Sequence, residues 1–474
     1  GGRARPPPPP AGGAGGGGRP APRAGAPALA ALRARPRPLD SVSAAPARFA
    51  QLAKSARGTQ DHDGGHRQRI VAQRADLGAE WDQLLRTIRS LPGFQGFFLP
   101  PAWEELRPLA DEGPVVYVNA SRTRCDALAL TCAGLLVIPL PDLDAAAIPH
   151  EVNRLRIPGT ATTVAERQRA LKVPREVLAW LWDKVAHPVL TALETAGALA
   201  TDGEPPRLWW CPTGVVAYFP LHAAGRHHGT RPAEGRAPET VIDRVVSSYT
   251  PTLKALAHAR QAYAEHLVEK AGHGRDRTLV VALPETPGAH RLPWVEEEVR
   301  RLTELVPDAQ VLTGSDAVRD TVLAELPHHD VVHFACHAES DWTRPRDSRL
   351  ILHDHLTNPL TLGALSGLRL HGGLACLSAC STTSAPPDRV DETLHLTSAF
   401  LLAGYANVVG TLWPVVDREA ASLTDAFYTA LTGGGDEPPS PARAARALHR
   451  ATVARRDAHP GDPMRWAAHV HVGV

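Results

Sequence analysis

The chain has 474 residues, which at about 150 residues per domain predicts two or three domains with ample length for a buried core. Lys and Arg total 51 against 50 Asp and Glu, so the net charge of +1 gives no overall field that would attract nucleic acid or an anionic membrane. The six scattered cysteines form no disulfide framework and indicate thiols in a reducing compartment. Because no apolar stretch is long enough to span a bilayer and no signal peptide is visible, we expect a cytoplasmic protein without nucleic-acid or membrane partners.

The N-terminal region changes composition near residue 45. Residues 1–45 are rich in Gly, Pro and Arg and include five consecutive prolines, which predicts a disordered segment. Residues 46–93 have apolar side chains spaced by three and four, which predicts a helical lead-in to the folded body. The only methionine is Met464, so we expect that an initiator was removed or that an upstream part is missing.

Residues 94–240 mix strands with helices. Three β-rich runs separated by a few polar residues predict a meander, and they cover residues 115–118, 127–131 and 135–138. Two more runs, 208–211 and 215–221, flank Pro212, Thr213 and Gly214, which predicts a hairpin. Residues 225–240 are rich in Gly, Pro and charge, so we expect a boundary or an exposed loop there.

Residues 241–474 alternate apolar runs with helical patterns. The runs cover residues 278–283, 330–337, 373–380 and 407–413, with helices such as 295–305 and 420–431 between them. Nearly continuous apolar strands that alternate with helices indicate a mostly parallel sheet covered on both faces. We therefore predict a layered α/β domain in this half of the chain.

A histidine and a cysteine close two of these runs. Residues 331–337 end at His337, and residues 374–380 end at Cys380. In a parallel sheet, ligands collect at the carboxyl ends of the strands. If the two strands are neighbours, His337 can act as general base toward Cys380 or hold it as a thiolate.

The remaining cysteines and histidines have simpler interpretations. We interpret the other five cysteines as inert small hydrophobic residues; these are Cys125, Cys132, Cys211, Cys336 and Cys376. Mid-strand His333 fits a core histidine with a satisfied hydrogen bond. A zinc site would have to combine His333, Cys336, His337, Cys376 and Cys380. Neighbouring residues on a strand point to opposite faces and no Cys-x-x-Cys is present, so we predict no metal and no other cofactor.

The segments around His337 and Cys380 resemble the CHAT domain, a bacterial caspase-like and separase-related family often found beside tetratricopeptide repeats. His-Phe-Ala-Cys-His at 333–337 is similar to the histidine motif of that family, and Leu-Ser-Ala-Cys-Ser-Thr at 377–382 to its cysteine motif. The order of the two motifs, about 40 residues apart, agrees with caspase-type sequences. Further similar segments lie at 208–214, 220–225, 402–405, 410–414 and 466–468.

The resemblance implies a caspase-like layered α/β fold in two halves, 94–240 without the dyad and 241–474 with it. It implies a cysteine endopeptidase in which Cys380 is the nucleophile, His337 is the general base, and the backbone N–H groups of Ala338 and Cys380 form the oxyanion hole. The family usually has Gly where this chain has Ala338, and a positive φ there would strain an alanine.

Two functions remain open at this stage. One is a CHAT-type peptidase that acts on a protein or peptide, with a regulatory protein partner bound through an upstream region. The other is a caspase-like interaction or signalling module that has lost turnover. The residue preferred beside the scissile bond also stays open, because acidic and basic side chains both lie near the dyad in sequence; they are Asp388, Asp391, Glu392, Arg344, Arg346, Arg349 and Arg389.

Overall fold

The computed structural model describes residues 64–92, 94–99, 101–155, 164–199, 203–227, 239–273, 277–341, 344–378 and 395–474. The segment predicted to be disordered, residues 1–45, lies outside this part of the chain, as does Cys380. The chain forms two units, residues 1–102 and 103–474.

In the described part of the first unit, Gly64–Arg89 form the long helix α1, which overlaps the later part of the predicted helical lead-in. Arg86 and Arg89 lie in its last turn, where cations offset the partial negative charge of the free carbonyl groups. The Arg89 side chain donates to the carbonyl of Phe97 at 2.7 Å, and the ring of Phe98 packs edge-on against Trp81. These contacts fold the chain after the helix back against it.

The second unit is a layered α/β structure. Its helices are α2 (Trp103–Leu106), α3 (Ile148–Leu155), α4 (Val164–Leu181), α5 (His187–Thr195), α6 (Leu253–His273), α7 (Val295–Leu305), α8 (Arg319–Glu325), α9 (Leu362–Leu365), α10 (His395–Ala403), α11 (Asp417–Leu431) and α12 (Ala444–Ala458). Its strands are β1 (Val115–Ala120), β2 (Cys125–Thr131), β3 (Gly134–Pro139), β4 (Arg207–Pro212), β5 (Val246–Tyr249), β6 (Thr278–Ala282), β7 (Gln310–Thr313), β8 (Val331–Ala335), β9 (His337–Glu339), β10 (Arg349–Ile351), β11 (Leu360–Thr361), β12 (Leu374–Leu377), β13 (Asn407–Thr411) and β14 (His469–Gly473). Among the described residues, no helix has both the length and the apolarity needed to cross a bilayer.

Eleven strands form one sheet in the order β3-β2-β1-β4-β5-β14-β13-β12-β8-β6-β7. The predicted meander is confirmed, because β1, β2 and β3 pair antiparallel. From β13 to β7 neighbouring strands run parallel, as the alternating pattern predicts. Strands β9, β10 and β11 form a separate small sheet.

The hairpin predicted around Pro212 is wrong. β4 has β1 on one side and β5 on the other, both parallel, so no side of β4 is free for a returning strand. The chain after β4 instead enters a short 3-10 helix (Gly214–Tyr218). Gly214 has φ +55, a conformation that favours glycine, and it turns the chain out of the strand direction.

The strand β14 joins the two parts of the large sheet. It pairs antiparallel with β13 and parallel with β5, where Val472 lies opposite Tyr249. Nearby, Ser248 Oγ lies 2.8 Å from His471 Nδ1, and His471 Nε2 lies 3.0 Å from Asn407 Oδ1. Because the amide oxygen only accepts, His471 donates from Nε2 and accepts at Nδ1 from Ser248. Burial holds the pKa of His471 well below its usual range, which agrees with a neutral ring.

A small pocket, partly open to solvent, lies where β5, β14 and α12 meet. Three of its histidines are electrically neutral at pH 7, because burial lowers the pKa of His222 to about 3 and those of His449 and His469 to about 4. Lowering the pH would therefore protonate these three histidines and place positive charge in the interior of the protein.

Candidate active site

Strands β8 and β12 are adjacent and parallel, with Leu377 opposite Phe334. The condition that the sequence left open is therefore met, because the strands leading to His337 and Cys380 are neighbours. His337 follows Phe334 by three residues, and Cys380 follows Leu377 by three residues in the sequence. The structure describes His337 and ends this stretch at Ser378, so Cys380 lies outside the described residues.

The sequence explains why the chain bends at His337. Residues 331–335 are fully buried and apolar apart from His333, which suits a central strand. After Cys336 the chain leaves the large sheet and forms β9, which pairs antiparallel with β10, so that His337 lies opposite Ile351. The histidine thus stands at the carboxyl end of β8, half-exposed, where the two sheets separate.

The His337 ring is oriented by a backbone carbonyl. Its Nε2 lies 2.6 Å from the carbonyl oxygen of His290, in the loop between β6 and α7. A carbonyl oxygen only accepts, so Nε2 carries the hydrogen and Nδ1 retains a free lone pair. That tautomer provides an imidazole nitrogen able to take a proton from a thiol or a water molecule.

The same loop also holds a carboxylate. The backbone N–H of Trp294 donates to Asp417 Oδ2 at 2.7 Å, and Asp417 begins α11 after β13. Partial burial raises the pKa of Asp417, while the Trp294 N–H and the charge of His337 act in the opposite direction. Asp417 and His337 therefore lie near the same loop, which links the start of α11 to this end of the sheet.

Ala338 lies in β9, opposite Leu350, and is fully buried. Phe98 is the only described non-glycine residue with a positive φ, so Ala338 has an ordinary backbone conformation. The strain considered for an alanine at this position is absent, because a strand requires no left-handed conformation.

A buried ion pair lies beneath this edge of the sheet. His333 Nε2 is 3.0 Å from Glu298 Oε1, and the two side chains are 0% and 1% exposed. Burial opposes both charges, yet Cys376 and the Glu298 carboxylate raise the pKa of His333 to about 10. Burial likewise opposes ionisation of Glu298, but His333 and the hydroxyls of Ser378 and Thr424 hold its pKa below the usual range. The prediction of a core histidine is confirmed, but only one ring nitrogen is satisfied. Nε2 is bonded to Glu298, whereas Nδ1 is buried with no hydrogen-bond partner among the described residues.

The other cysteines have the environments of unreactive thiols, with one exception. Burial raises the pKa values of Cys336 and Cys211 to about 12, and Cys125 and Cys376 are also buried. Cys132 is exposed, between β2 and β3, so burial does not protect its thiol as it does the other four. Among the described residues, no group of three or more His, Cys, Asp or Glu side chains has an arrangement that could hold a metal ion.

Sequence reasoning missed His290, Asp417 and Glu298. His290 contributes its backbone carbonyl group, and the residue type at a position gives no sign of such a contact. Asp417 follows β13 and opens a helix, where an acidic residue is usual for dipole reasons alone. Glu298 had a usable signal, because its spacing from Val295 and Leu302 places it on the apolar stripe of α7.

Comparison with known families agrees with this architecture. Residues 175–474 match the family described as CHAT domain, and the chain belongs to that family. Its membership, together with the mostly parallel sheet flanked by helices, confirms the expected caspase-like α/β fold class.

The chain is also similar to known proteins at low identity. Tetratricopeptide repeat protein 28 of Mus musculus is 24% identical over 238 residues, which is 41% of this chain and 10% of the mouse protein. The Homo sapiens protein of the same name is 24% identical over 278 residues, 50% of this chain and 11% of the human protein. The chain thus spans about a tenth of the length of these relatives.

Among solved structures, the Saccharomyces cerevisiae separase–securin complex aligns with 93% of this chain and 27% of its own, with TM-score 0.40 and 13% identity. The Arg specific cysteine proteinase gingipain R aligns with 61% of this chain and 68% of its own, with TM-score 0.36 and 10% identity. Because both TM-scores are below 0.5, the assignment to the CHAT domain family rests on the match of residues 175–474 to that family.

Proposed function

We propose that this chain is a CHAT-type cysteine endopeptidase that hydrolyses a peptide bond through an acyl-enzyme on Cys380. His337 serves as general base and acid, and the backbone N–H groups of Ala338 and Cys380 stabilise the oxyanion. No metal or organic cofactor takes part in this mechanism.

The register of β8 and β12 carries the proposal. Phe334 and Leu377 are paired neighbours, and the candidate base and nucleophile each follow their strand partner by three residues. Two residues at equal distances beyond a parallel pair emerge at the same edge of the sheet, which is where such sheets bind ligands. The tautomer fixed by His290 gives His337 the lone pair that a general base requires.

The first half of the reaction forms the acyl-enzyme. His337 Nδ1 takes the proton of the Cys380 thiol, and the thiolate sulfur attacks the carbonyl carbon of the scissile bond. The resulting oxyanion accepts hydrogen bonds from the two backbone N–H groups. When the intermediate collapses, the C–N bond breaks and the leaving amine takes the proton from Nδ1.

The second half releases the acyl group. His337 Nδ1 takes a proton from a water molecule, whose oxygen attacks the thioester carbon. The C–S bond then breaks, and the sulfur recovers its proton from His337.

We place this activity in the cytoplasm with a protein or peptide as substrate. The five cysteines in the described residues are free, which suits a reducing compartment. The curated relatives are named for tetratricopeptide repeats and are far longer than the aligned segment. On that basis we propose that a regulatory protein partner engages a region upstream of this segment in a longer protein.

A pair of cysteine variants tests the proposed function. Cys380→Ala should abolish hydrolysis of a mixed peptide library and leave the fold nearly intact, because only the nucleophilic sulfur is lost. Cys376→Ala should retain hydrolysis and cost stability of order 1 kcal/mol through a small cavity. The measurements are peptide cleavage by mass spectrometry and urea unfolding.

The interaction-module alternative predicts a different outcome. A folded wild-type protein that cleaves no peptide, and whose Cys380 reacts with iodoacetamide no faster than exposed Cys132, would contradict the enzyme and support the module. Reaction at Cys380 that is fast in the wild type and slow in His337→Ala would support the dyad.

A further inference from the structure

The histidine pocket where β5, β14 and α12 meet takes no part in the reaction proposed above. Its polar lining includes His222, Ser247, Tyr249, His449, His469 and His471, and most of the remaining lining is apolar. All of these residues belong to the described part of the chain and none lies in the candidate active site. The pocket is therefore a separate feature that needs its own explanation.

The pocket exists because β5 and β14 separate. They share a single residue pair, Val472 with Tyr249, whereas the other neighbouring strands of the large sheet share three or more. Three consecutive residues of β14, 469–471, line the pocket, and consecutive side chains of a strand point to opposite faces. The pocket therefore lies in the gap between the two strands, where an occupant would touch both parts of the sheet.

Two histidines that line the gap have a buried ring nitrogen without a partner. His222 and His469 are 8% and 4% exposed. Neither Nε2 of His222 nor Nδ1 of His469 forms a hydrogen bond with any described residue. A buried polar atom without a hydrogen bond is costly, so native proteins usually supply it with a water molecule or a ligand. These two nitrogens point to an occupant of the pocket.

The hydrogen on the His222 ring indicates what kind of occupant fits. Burial lowers the pKa of His222 to about 3, so the ring is neutral at pH 7 and carries one ring hydrogen. Tyr249 Oη accepts from the backbone N–H of His222 at 3.0 Å and lies 2.9 Å from its Nδ1. The tyrosine therefore donates its own hydrogen to Nδ1. His222 Nε2 carries the ring hydrogen and needs an acceptor.

A second donor lies on the same side of the gap. Ser247 Oγ accepts from Trp210 Nε1 at 3.1 Å, which leaves the serine hydroxyl hydrogen available to an occupant. Ser247 and Tyr249 are two residues apart on β5 and so share one face of that strand. A metal ion would need a free lone pair on His222 Nε2, which the hydrogen there removes. The donors call for an occupant rich in acceptors.

The charges around the pocket do not oppose an anion. On α12, Arg446 and Arg450 share the carboxylate of Glu204 at 2.9 and 3.0 Å. Arg456 pairs with Asp243 at 2.7 Å and with Asp457 at 2.8 Å. Three arginines thus balance three carboxylates beside His449, and no excess negative charge in these ion pairs repels an anion.

We propose that the histidine pocket binds a small oxyanion, either phosphate or a carboxylate, between β5 and β14. His222 Nε2 and the Ser247 hydroxyl donate to its oxygens from one side of the gap. His469 donates from the β14 side when its ring hydrogen is on Nδ1. Because a charged acceptor forms stronger hydrogen bonds than a neutral one, an oxyanion satisfies these donors better than a water molecule does.

Isothermal titration calorimetry tests the site directly. The full chain is titrated at pH 7 with inorganic phosphate and, separately, with acetate, in chloride buffer of constant ionic strength. We expect one saturable site for at least one of the two anions, and the anion that binds tells phosphate-like from carboxylate-like ligands. Ser247→Ala should weaken binding by roughly tenfold, because one hydrogen bond to a charged group is lost. Exposed Ser366→Ala is the control and should bind as the wild type does.

His222 provides a loss and a rescue. His222→Phe removes the donor and should abolish binding, whereas His222→Gln keeps an N–H donor and should restore most of it. Nitrogen-15 NMR of the imidazole rings gives a readout on the wild-type protein alone. The bound anion should shift the Nε2 signal of His222 and leave that of exposed His328 in place.

The outcomes decide for or against the site. Saturable binding that Ser247→Ala weakens, together with a shift at His222, supports it. No saturable heat with either anion overturns the proposal and leaves ordered water as the only occupant. Binding of equal strength in the wild type, Ser247→Ala and His222→Phe overturns it too, because the anion would then lie elsewhere on the protein. Neither result bears on the proposed peptidase.

Discussion

Glu297 and Glu298 are neighbours on α7 in opposite environments. Glu297 pairs with Arg300 at 2.6 Å on the surface, where both side chains are about half-exposed. Glu298 pairs with His333 at 3.0 Å in the interior. An exposed ion pair is screened by water and contributes little, whereas breaking a buried pair leaves an uncompensated charge in a medium of low dielectric constant.

Alanine substitution of these two glutamates should therefore give contrasting results. We expect Glu298→Ala to lower the free energy of unfolding by about 3–5 kcal/mol, because the His333 charge loses its partner. Glu297→Ala on the same helix should cause no measurable change. Urea unfolding at pH 7 checks both values, and equal effects would show that the buried pair has no special role in stability.

Ala338 offers a second test at the level of one residue. Because it lies in β9 without a positive φ, Ala338→Gly relieves no strain and adds backbone freedom to the unfolded chain. We expect a loss of about 0.5–1 kcal/mol in stability and no gain in kcat on a cleaved peptide. An increased kcat in the glycine variant would show that the oxyanion donor needs a conformation that alanine resists.

The sequence predicted part of this site and could not predict the rest. His337 and Cys380 stand out because each is a reactive residue that closes an apolar run, so a rule about strand ends is enough to find them. The orientation of His337 depends on the carbonyl of His290, 47 residues earlier in the chain, and no residue type marks such a contact. Glu298 could have been found by its helical spacing, but a partner for it required knowing that α7 packs beneath β8.

At the level of elements, the turn from α10 to β13 depends on one glycine. Gly404 has φ +113, and a Cβ built there would overlap the carbonyl oxygen of Leu370. Tyr405, the next residue, is fully buried. The close approach of two backbones and the positive φ both demand glycine, which explains the residue chemistry of the segment 402–405.

Gly404→Ala should therefore destabilise the protein strongly. We expect a loss above about 3 kcal/mol, since the new methyl group meets rigid backbone and the conformation itself is strained. Gly461→Ala is the control, because nothing lies within 4 Å of a Cβ at that position. Thermal unfolding of the two variants is the measurement, and similar midpoints would contradict this account of the turn.

Helices and strands with a clear periodicity of apolar residues could be predicted from the sequence. Elements whose burial depends on pairing with strands far along the chain could not. Helix α7 has the predicted bounds because an isolated amphipathic stripe is visible in sequence alone. The 3-10 helix after β4 was mistaken for a strand because its apolar residues suit either structure. Strands β5 and β14 were missed because each is short and contains Ser or His. Their burial comes from pairing with distant strands, which for β5 with β14 spans 223 residues.

At the level of the whole molecule, the histidine pocket makes stability depend on acidity. His222, His449 and His469 have depressed pKa values in the folded chain, so the unfolded chain binds more protons as the pH falls below about 6.5. His449 also faces Asp243, Arg446, Arg450 and Arg456, and the three arginines further disfavour its protonation. The stability given by these neutral rings is present above pH 6.5 and declines toward about pH 4.

We expect the free energy of unfolding to fall by up to roughly 1.4 kcal/mol per pH unit for each of these histidines. Urea unfolding between pH 7 and pH 4.5 measures the slope. His469→Gln should reduce the slope by removing one proton acceptor, while exposed His328→Gln should leave it unchanged. A slope insensitive to His469→Gln would assign the acid sensitivity to other groups.

The position of β14 between β5 and β13 has a consequence for how the chain reaches its native state. β5 pairs with one edge of β14 and β13 with the other, and β14 ends at Gly473. Each half of the large sheet therefore has one unpaired edge strand until the ribosome has synthesised β14. Until then, two sheets with open edges coexist in one nascent chain, a condition that promotes pairing between copies. Pairing of β14 with β5 joins residues more than 200 positions apart, so the contact order is high. We therefore expect this pairing to form slowly during folding. Refolding yield in vitro should therefore fall as protein concentration rises.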